Sequence, residues 1–255
     1  MKRVIRRAIT ALANSRDYTF VPNWEFDEKV VVRHLQPLFE TYQIQCVVDV
    51  GANLGQFGEF VRQKLAFRGV IHSFEPVEQF VQQLIQKSRQ DEAWTIHQMA
   101  LGSRQDEIDI NVTESPGLSS FLSPTSATVK DLWNRSAIVE RQRVAIDTLD
   151  NFVEQLEGAA LPGPTFLKVD TQGYDLEVLK GAERTLERVR AVQLEASVRP
   201  IYEGMPGFRE VLDYLMARGF ALSAMFPVNQ DQSQRLIEFD CVFVNERYAR
   251  NARIQ

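Results

Sequence analysis

One stretch limits what this chain can fold into more than any other. The apolar run Gln45-Cys-Val-Val-Asp-Val50 leads directly into Gly51-Ala-Asn-Leu-Gly55, and an amphipathic segment follows from Gln56. Its continuous apolar stretch Cys46-Val-Val, like Phe166-Leu later, marks a strand covered on both faces, which is the habit of parallel sheets. The same alternation of short strand and amphipathic helix recurs along the chain. Strands are expected at Gln45–Val50, Gly69–Phe74, Thr95–Leu101, Thr165–Val169, Ala191–Ala196, Phe220–Phe226 and Phe239–Val244. Helices are expected at Asp27–Tyr42, Gln56–Phe67, Val77–Ser88, Leu176–Glu187 and Gly207–Arg218. This is the pattern of an α/β fold with helices on both faces of a mostly parallel sheet.

Two places depart from simple alternation. The last two strands are joined by about a dozen polar residues without a helix, which calls for an antiparallel pair at the sheet edge. Between the third strand and Thr165 lies a long excursion. It holds a short strand at Glu107–Val112, a Ser/Thr/Pro/Gly-rich stretch at Thr113–Pro124, a helical stretch around Ala127–Asn134, the run Gln142–Ile146 and a helix from Thr148, with Asp147 as its expected cap. Loops of this length in a compact domain are usually lids or binding loops.

Composition narrows the function classes. With 255 residues and a net charge of −5, the chain lacks the basic excess of a nucleic-acid binder. No segment reaches the ~20 apolar residues of a membrane span. Cys46 and Cys241 both lie in apolar strands and read as small buried hydrophobes. No Cys/His cluster suggests a disulfide framework or structural metal, and a cytoplasmic setting is expected. At the N-terminus, Val4, Ile5, Ala8, Ile9 and Leu12 share one helical face; Arg6 and Arg7 interrupt any signal-peptide core.

The first loop has the chemistry of a nucleoside site. Small residues at a strand's carboxyl end let the backbone approach a ligand, and an acidic residue at the tip of the next strand accepts hydrogen bonds from ribose hydroxyls. Glu75 is that residue. A dinucleotide fold requires G-x-G-x-x-G, where this chain offers Gly51, Asn53 and Gln56. The methyltransferase spacing G-x-G-x-G is met better, by Gly51, Asn53 and Gly55. Asp49, just before the loop, also suits a methyltransferase, in which an acid neutralises the amino end of the methionine moiety.

Several blocks resemble the FkbM-type S-adenosylmethionine-dependent methyltransferases. They are Val48-Asp-Val-Gly-Ala-Asn-Leu-Gly-Gln, Phe74-Glu-Pro, Ala100-Leu-Gly, Ser119-Ser120, Asp147-Thr-Leu-Asp, Leu167-Lys-Val-Asp-Thr-Gln-Gly-Tyr-Asp-Leu-Glu-Val-Leu-Lys-Gly-Ala and Leu194-Glu with Tyr202-Glu-Gly. Asp175 departs from the Glu often found there. The resemblance implies a class I, Rossmann-like fold of seven mostly parallel strands with an antiparallel last strand. It implies S-adenosyl-L-methionine as cofactor, with S-adenosyl-L-homocysteine as product, and an acceptor hydroxyl on a sugar or natural product. Carried over, Asp49, Gly51, Asn53 and Gly55 would contact the methionine side, Glu75 the ribose, and Met99, Ala100 and Leu101 the adenine edge. Residues 1–43 are then a helical extension, 44–250 the methyltransferase domain, and 113–140 a lid or insert.

Lys168 and Asp170 stand two apart in an extended run and so share a face. A buried Lys needs a partner, and Asp170 is the obvious one. In the family's strand order, Glu195 lies beside Asp170 at the same carboxyl edge. Asp170 is the expected base or acceptor-orienting group, tuned by Lys168 and supported by Glu195. Two carboxylates have the chemistry to hold Mg²⁺, but no dedicated ligand spacing is present and no metal site is assigned. His34, His72 and His97 read as structural. Ser119, Ser120, Arg199, Tyr202 and Glu203 are candidate linings for cofactor or acceptor. N-methylation of a small molecule or protein, a non-catalytic cofactor-binding module and an NAD-dependent enzyme are the competing readings. The Lys168/Asp170/Glu195 cluster speaks against the non-catalytic one.

Overall fold

The computed structural model describes residues 26–125 and 137–249. The basic N-terminal segment and the expected helix at 127–134 lie outside the described residues. In chain order the elements are α1 (Phe26–Thr41), β1 (Cys46–Val50), α2 (Gln56–Gln63), β2 (Val70–Phe74), α3 (Glu78–Ser88), β3 (Trp94–His97), β4 (Ala100–Leu101), β5 (Asp106–Thr113) and β6 (Ile138–Asp147). There follow α4 (Leu149–Gln155), β7 (Thr165–Val169), α5 (Asp175–Lys180), α6 (Glu183–Leu186), β8 (Val189–Ser197), α7 (Phe208–Met216), β9 (Phe220–Gln230), β10 (Leu236–Asn245) and α8 (Glu246–Ala249).

Seven strands form one sheet in the order β3-β2-β1-β7-β8-β10-β9. β1 is central because every one of its residues is buried, so both faces and both edges must be covered. It pairs in parallel with β2 and with β7. The last strand, β10, runs antiparallel to both β8 and β9 and so lies between them rather than at the edge. Order and reversal together are the class I methyltransferase arrangement.

Alternate residues of the strands feed two layers. Val48, Val50, Leu167, Val169 and Leu194 pack on Leu176 and Leu179 of α5 and Leu215 of α7. Val47, Phe166, Ala191 and Val242 face the opposite way, onto Leu35, Leu38 and Phe39 of α1 and Val61 of α2. Phe166 is fully buried, with its ring 4.9 Å from that of Phe39 and 6.0 Å from that of Phe57. Truncating such a ring to Ala costs ~3–5 kcal/mol.

Four expectations change. The third strand is not continuous: Met99 N donates back to His97 O, and the turn sends Ala100–Leu101 into a separate three-stranded sheet, β4-β6-β5. That sheet is the excursion, longer and more regular than its sequence suggests, and Ile110, Val112 and Val144 anchor it on Val77 and Phe80. The cap of α4 is Thr148, whose hydroxyl accepts from Asn151 N, while Asp147 Oδ1 accepts from Thr148 N. The expected helix at Leu176–Glu187 divides at Gly181 into α5 and α6. Finally, the dozen polar residues before β10 are mostly strand. The Asp231 carboxylate accepts from Ser233 N and Arg235 N and tightens the turn, so β9 and β10 extend on both sides of it.

Candidate active site

The carboxyl ends of β1, β2 and β7 meet at one edge. Asp170 N donates to Val50 O, while Gly51 N and Ala52 N both donate to Phe74 O. The loop after β1 is thus tied to both neighbouring strands. Gly51 sits at φ 76°, and a Cβ there would lie 2.0 Å from the Asp170 carbonyl oxygen. Only glycine permits both the left-handed backbone and that approach. Gly55, at φ 84°, opens α2.

Glu75 stands at the tip of β2, 5% exposed. Its Oε2 accepts from Asn53 N at 2.8 Å and its Oε1 from Val77 N at 2.9 Å. A carboxylate has about four acceptor sites, so each oxygen retains capacity for another donor. Burial pushes its pKa up to about 7, against the pull of those two N–H groups. Glu75 lines a narrow cleft together with Gly51, Asn53, Ala100, Ser119, Ser120 and Asp170. Its enclosed volume is ≈ 80 Å³, room for about six waters. Pro116–Phe121 supply its outer wall.

A second cavity, ≈ 440 Å³, opens on the other side of Asp170. It shares Gly51, Asn53, Gly117 and Asp170 with the first and adds Lys168, Gln193, Glu195 and Asp240. Strand register explains the convergence. Asp49 pairs with Lys168, Lys168 with Gln193, and Glu195 with Asp240, so all point to one face. Lys168 Nζ lies 3.2 Å from Asp170 Oδ2 and 3.5 Å from Asp49 Oδ1. Burial works against its charge; the carboxylates of Asp170 and Asp49 outweigh that and raise its pKa above the ordinary lysine value. Burial and the negative charge of Asp170 push Glu195 well above the ordinary carboxylate range, and Asp240 up to about 7.

Gln172 organises the acids. Its Nε2 donates to Asp170 Oδ1 at 2.9 Å and to Glu195 Oε2 at 3.0 Å, and its Oε1 accepts from Tyr202 OH at 2.8 Å. It does so from a left-handed backbone, φ 52°, the kind of local strain that clusters at functional sites. The Asp175 carboxylate sets the turn, accepting from Thr171 N and Gly173 N.

The structure brings together Gly51, Asn53, Glu75 and Ala100 around the first cavity and Lys168, Asp170 and Glu195 around the second. Three other sequence candidates line neither. Asp49 is fully buried behind Lys168 and accepts from Ser73 Oγ. Gly55 packs toward Leu84 and Trp94, and Met99 packs against the core. Ser119 and Ser120 line the first cavity, whereas Arg199 pairs with Asp231 and Tyr202 acts through Gln172. His34 bonds Ser223 Oγ, and His72 bonds His97 within an aromatic cluster. Gln172, Gln193 and Asp240 escaped sequence reasoning. The signal for Asp240 was present: Glu238 and Asp240 alternate with Ile237, Phe239 and Cys241 in an otherwise apolar strand. No group of three or more His, Cys, Asp or Glu arranged for a metal ion occurs among the described residues. No helix among them is long and apolar enough to cross a membrane.

A seven-stranded sheet with a reversed penultimate position, and a loop-and-carboxylate site at its carboxyl edge, define an S-adenosylmethionine-dependent methyltransferase. The Methyltransferase FkbM domain matches residues 49–222, and the chain belongs to that family. The 2-O-methyltransferase NoeI of Sinorhizobium fredii is 25% identical over 191 residues, covering 71% of this chain and 74% of NoeI. Magnesium protoporphyrin IX methyltransferase from Synechocystis PCC 6803, solved with bound S-adenosylmethionine, is similar with a TM-score of 0.45 at 12% identity, over 96% of each chain. Aeropyrum pernix fibrillarin, with natively bound S-adenosyl-L-methionine, has a TM-score of 0.45 at 11% identity, over 85% of this chain and 74% of its own.

Proposed function

We propose that the chain methylates a hydroxyl oxygen of a sugar, glycan or hydroxylated natural product, in the cytoplasm. The observation that carries this reading is the junction of two cavities at Asp170. The first cavity is assigned to the cofactor. The spare acceptor capacity of Glu75 suits a ribose diol, and Gly51 leaves the backbone open to close approach. The buried Asn53 Oδ1 and Thr171 Oγ1, both without a hydrogen-bond partner, offer further polar contacts. Ala100 would flank the adenine. The Pro116–Phe121 wall covers this cleft, the role proposed for the 113–140 insert. Asp49 would act from behind, by fixing Lys168, and Gly55 by setting the start of α2. The 2-O-methyltransferase activity in the name of NoeI supports oxygen as the methylated atom.

When bound, S-adenosylmethionine supplies a methyl group already activated by its sulfonium. The chain's own task is to align the acceptor oxygen and relieve it of its proton. Asp170 reaches both cavities and is the base. Lys168 orients the Asp170 carboxylate through Oδ2, leaving Oδ1 shared with Gln172. Glu195, its acidity weakened by burial, supports the acceptor through a second hydrogen bond. Asp170→Asn is expected to lower turnover about a hundredfold to ten-thousandfold, with S-adenosylhomocysteine affinity kept within a few-fold in calorimetry. Unchanged turnover overturns the assignment. Two unpaired, buried thiols, Cys46 and Cys241, agree with a reducing compartment.

A further inference from the structure

The second cavity is chemically one-sided. Asp170, Glu195 and Asp240 present carboxylates to it, and Lys168, the cation on the same wall, is already engaged by Asp49 and Asp170. Glu195 and Asp240 do not line the cofactor cleft, so a charge bound there does not answer theirs. An acidic cluster by itself proves little, but Gln193 adds a separate observation. It is 6% exposed, lines this cavity, and its Oε1 has no hydrogen-bond partner. An amide oxygen accepts and cannot donate. A buried acceptor left unpaired is costly, so the site is built for a ligand that donates.

Taking the second cavity as the acceptor site, as the proposed function does, we infer that the acceptor carries a protonated amine beside its hydroxyls, as in an amino sugar. The ammonium would lie among Glu195, Asp240 and Gln193 Oε1, and the reacting hydroxyl against Asp170. An ammonium has three donors and no acceptor, which matches a wall of acceptors. Its hydrogen bonds to ionised carboxylates are stronger than those of a neutral amide. The same wall repels acceptors bearing carboxylate or phosphate. Burial first, then the negative charge of Asp170, raises Glu195 and Asp240, a cost that a bound ammonium would relieve.

The test is calorimetric titration of the S-adenosylhomocysteine-loaded protein with glucosamine, N-acetylglucosamine and glucuronate slightly above neutral pH, where Asp240, pushed up to about 7, is mostly ionised. These offer one ring type with a positive, neutral or negative group. Glucosamine is expected to bind at least about tenfold tighter than N-acetylglucosamine, with glucuronate weakest. In Asp240→Asn the glucosamine preference should fall at least about threefold. S-adenosylhomocysteine binding, which reports a folded chain and an intact cofactor site, should be unchanged. Gln193→Met should weaken glucosamine and N-acetylglucosamine alike. Equal affinities across the series, a preference for glucuronate, or no binding of any of the three overturns the inference. Loss of S-adenosylhomocysteine binding by the wild type would instead overturn the cofactor assignment on which the reading rests.

Discussion

Gly51→Ala tests the loop on which the site depends. A Cβ at this position would lie 2.0 Å from the Asp170 carbonyl oxygen and 2.9 Å from its carbon, where ordinary contact begins near 3.4 Å. Both obstructing atoms are backbone, held by the hydrogen bond from Asp170 N to Val50 O at 3.0 Å. Relief therefore requires the ends of β1 and β7 to part by more than an ångström. The left-handed backbone costs ~1–2 kcal/mol in a residue with a Cβ, overpacking ~1–3 kcal/mol, and the strained hydrogen bond ~1 kcal/mol. The total is about 3–6 kcal/mol, a large share of the ~5–15 kcal/mol that holds a domain folded. Gly158 provides the control. It has the same φ of 76°, but a Cβ there meets nothing within 4 Å, so Gly158→Ala should cost only the ~1–2 kcal/mol of the backbone conformation. At ~2–4 °C per kcal/mol for a chain of this size, thermal melts should separate the two variants clearly. Calorimetry should show S-adenosylhomocysteine affinity reduced at least about tenfold in Gly51→Ala and unaltered in Gly158→Ala, since the displacement parts the loop bearing Asn53 from Asp170. Equal melting shifts for the two variants, or full affinity in Gly51→Ala, would refute the close-approach argument.

Three further outcomes follow from the same geometry. Glu75 has a folded pKa of about 7 against 4.5 for the free group, so the folded state holds its proton more tightly. Its contribution is therefore fully present below pH ~4.5 and lost as pH rises through ~7, a swing of about 3 kcal/mol at 1.36 kcal/mol per unit; Glu75→Gln should flatten that part of the stability profile in urea melts at pH 5 and 8 while weakening S-adenosylhomocysteine binding. His97 behaves oppositely. Burial, then His72, lowers its pKa from 6.5 to about 4, so its contribution is present above ~6.5 and lost as pH falls toward 4, and His97→Phe should resist acid better in the same assay; an unchanged acid limb would count against the His72–His97 pair as its source. Tyr202→Phe removes the hydroxyl that donates to Gln172 Oε1. It should cost ~1 kcal/mol of stability and lower kcat several-fold with S-adenosylhomocysteine affinity retained; unchanged kcat would show that Gln172 holds Asp170 and Glu195 without it.

Much of this protein is written in local pattern. The apolar stretch Cys46-Val-Val, the glycines at 51 and 55, the acid at 75 and the i, i+2 spacing of Lys168 and Asp170 each announce their own structure, because strand burial, left-handed turns and same-face placement depend only on near neighbours. Pairing is different. That Met99 turns the third strand out of the main sheet depends on the edge that β6 offers to Ala100 and Leu101. Asp231 accepts from Ser233 N and Arg235 N and so closes a turn within a stretch that reads as loop. Asp49 looks like a ligand from its place beside Gly51, yet a strand side chain must choose a face, and its face is filled by Lys168. The second cavity was the least legible. Its wall joins residues from β7, β8 and β10 whose register is set by cross-strand hydrogen bonds, and Gln172 spans Asp170 and Glu195 only because a left-handed backbone aims it there. Sequence by itself determined which side chains carry charge and where strands and loops begin. Tertiary structure alone decided which carboxylates share a pocket, because electrostatic coupling falls with distance in space and is indifferent to distance along the chain.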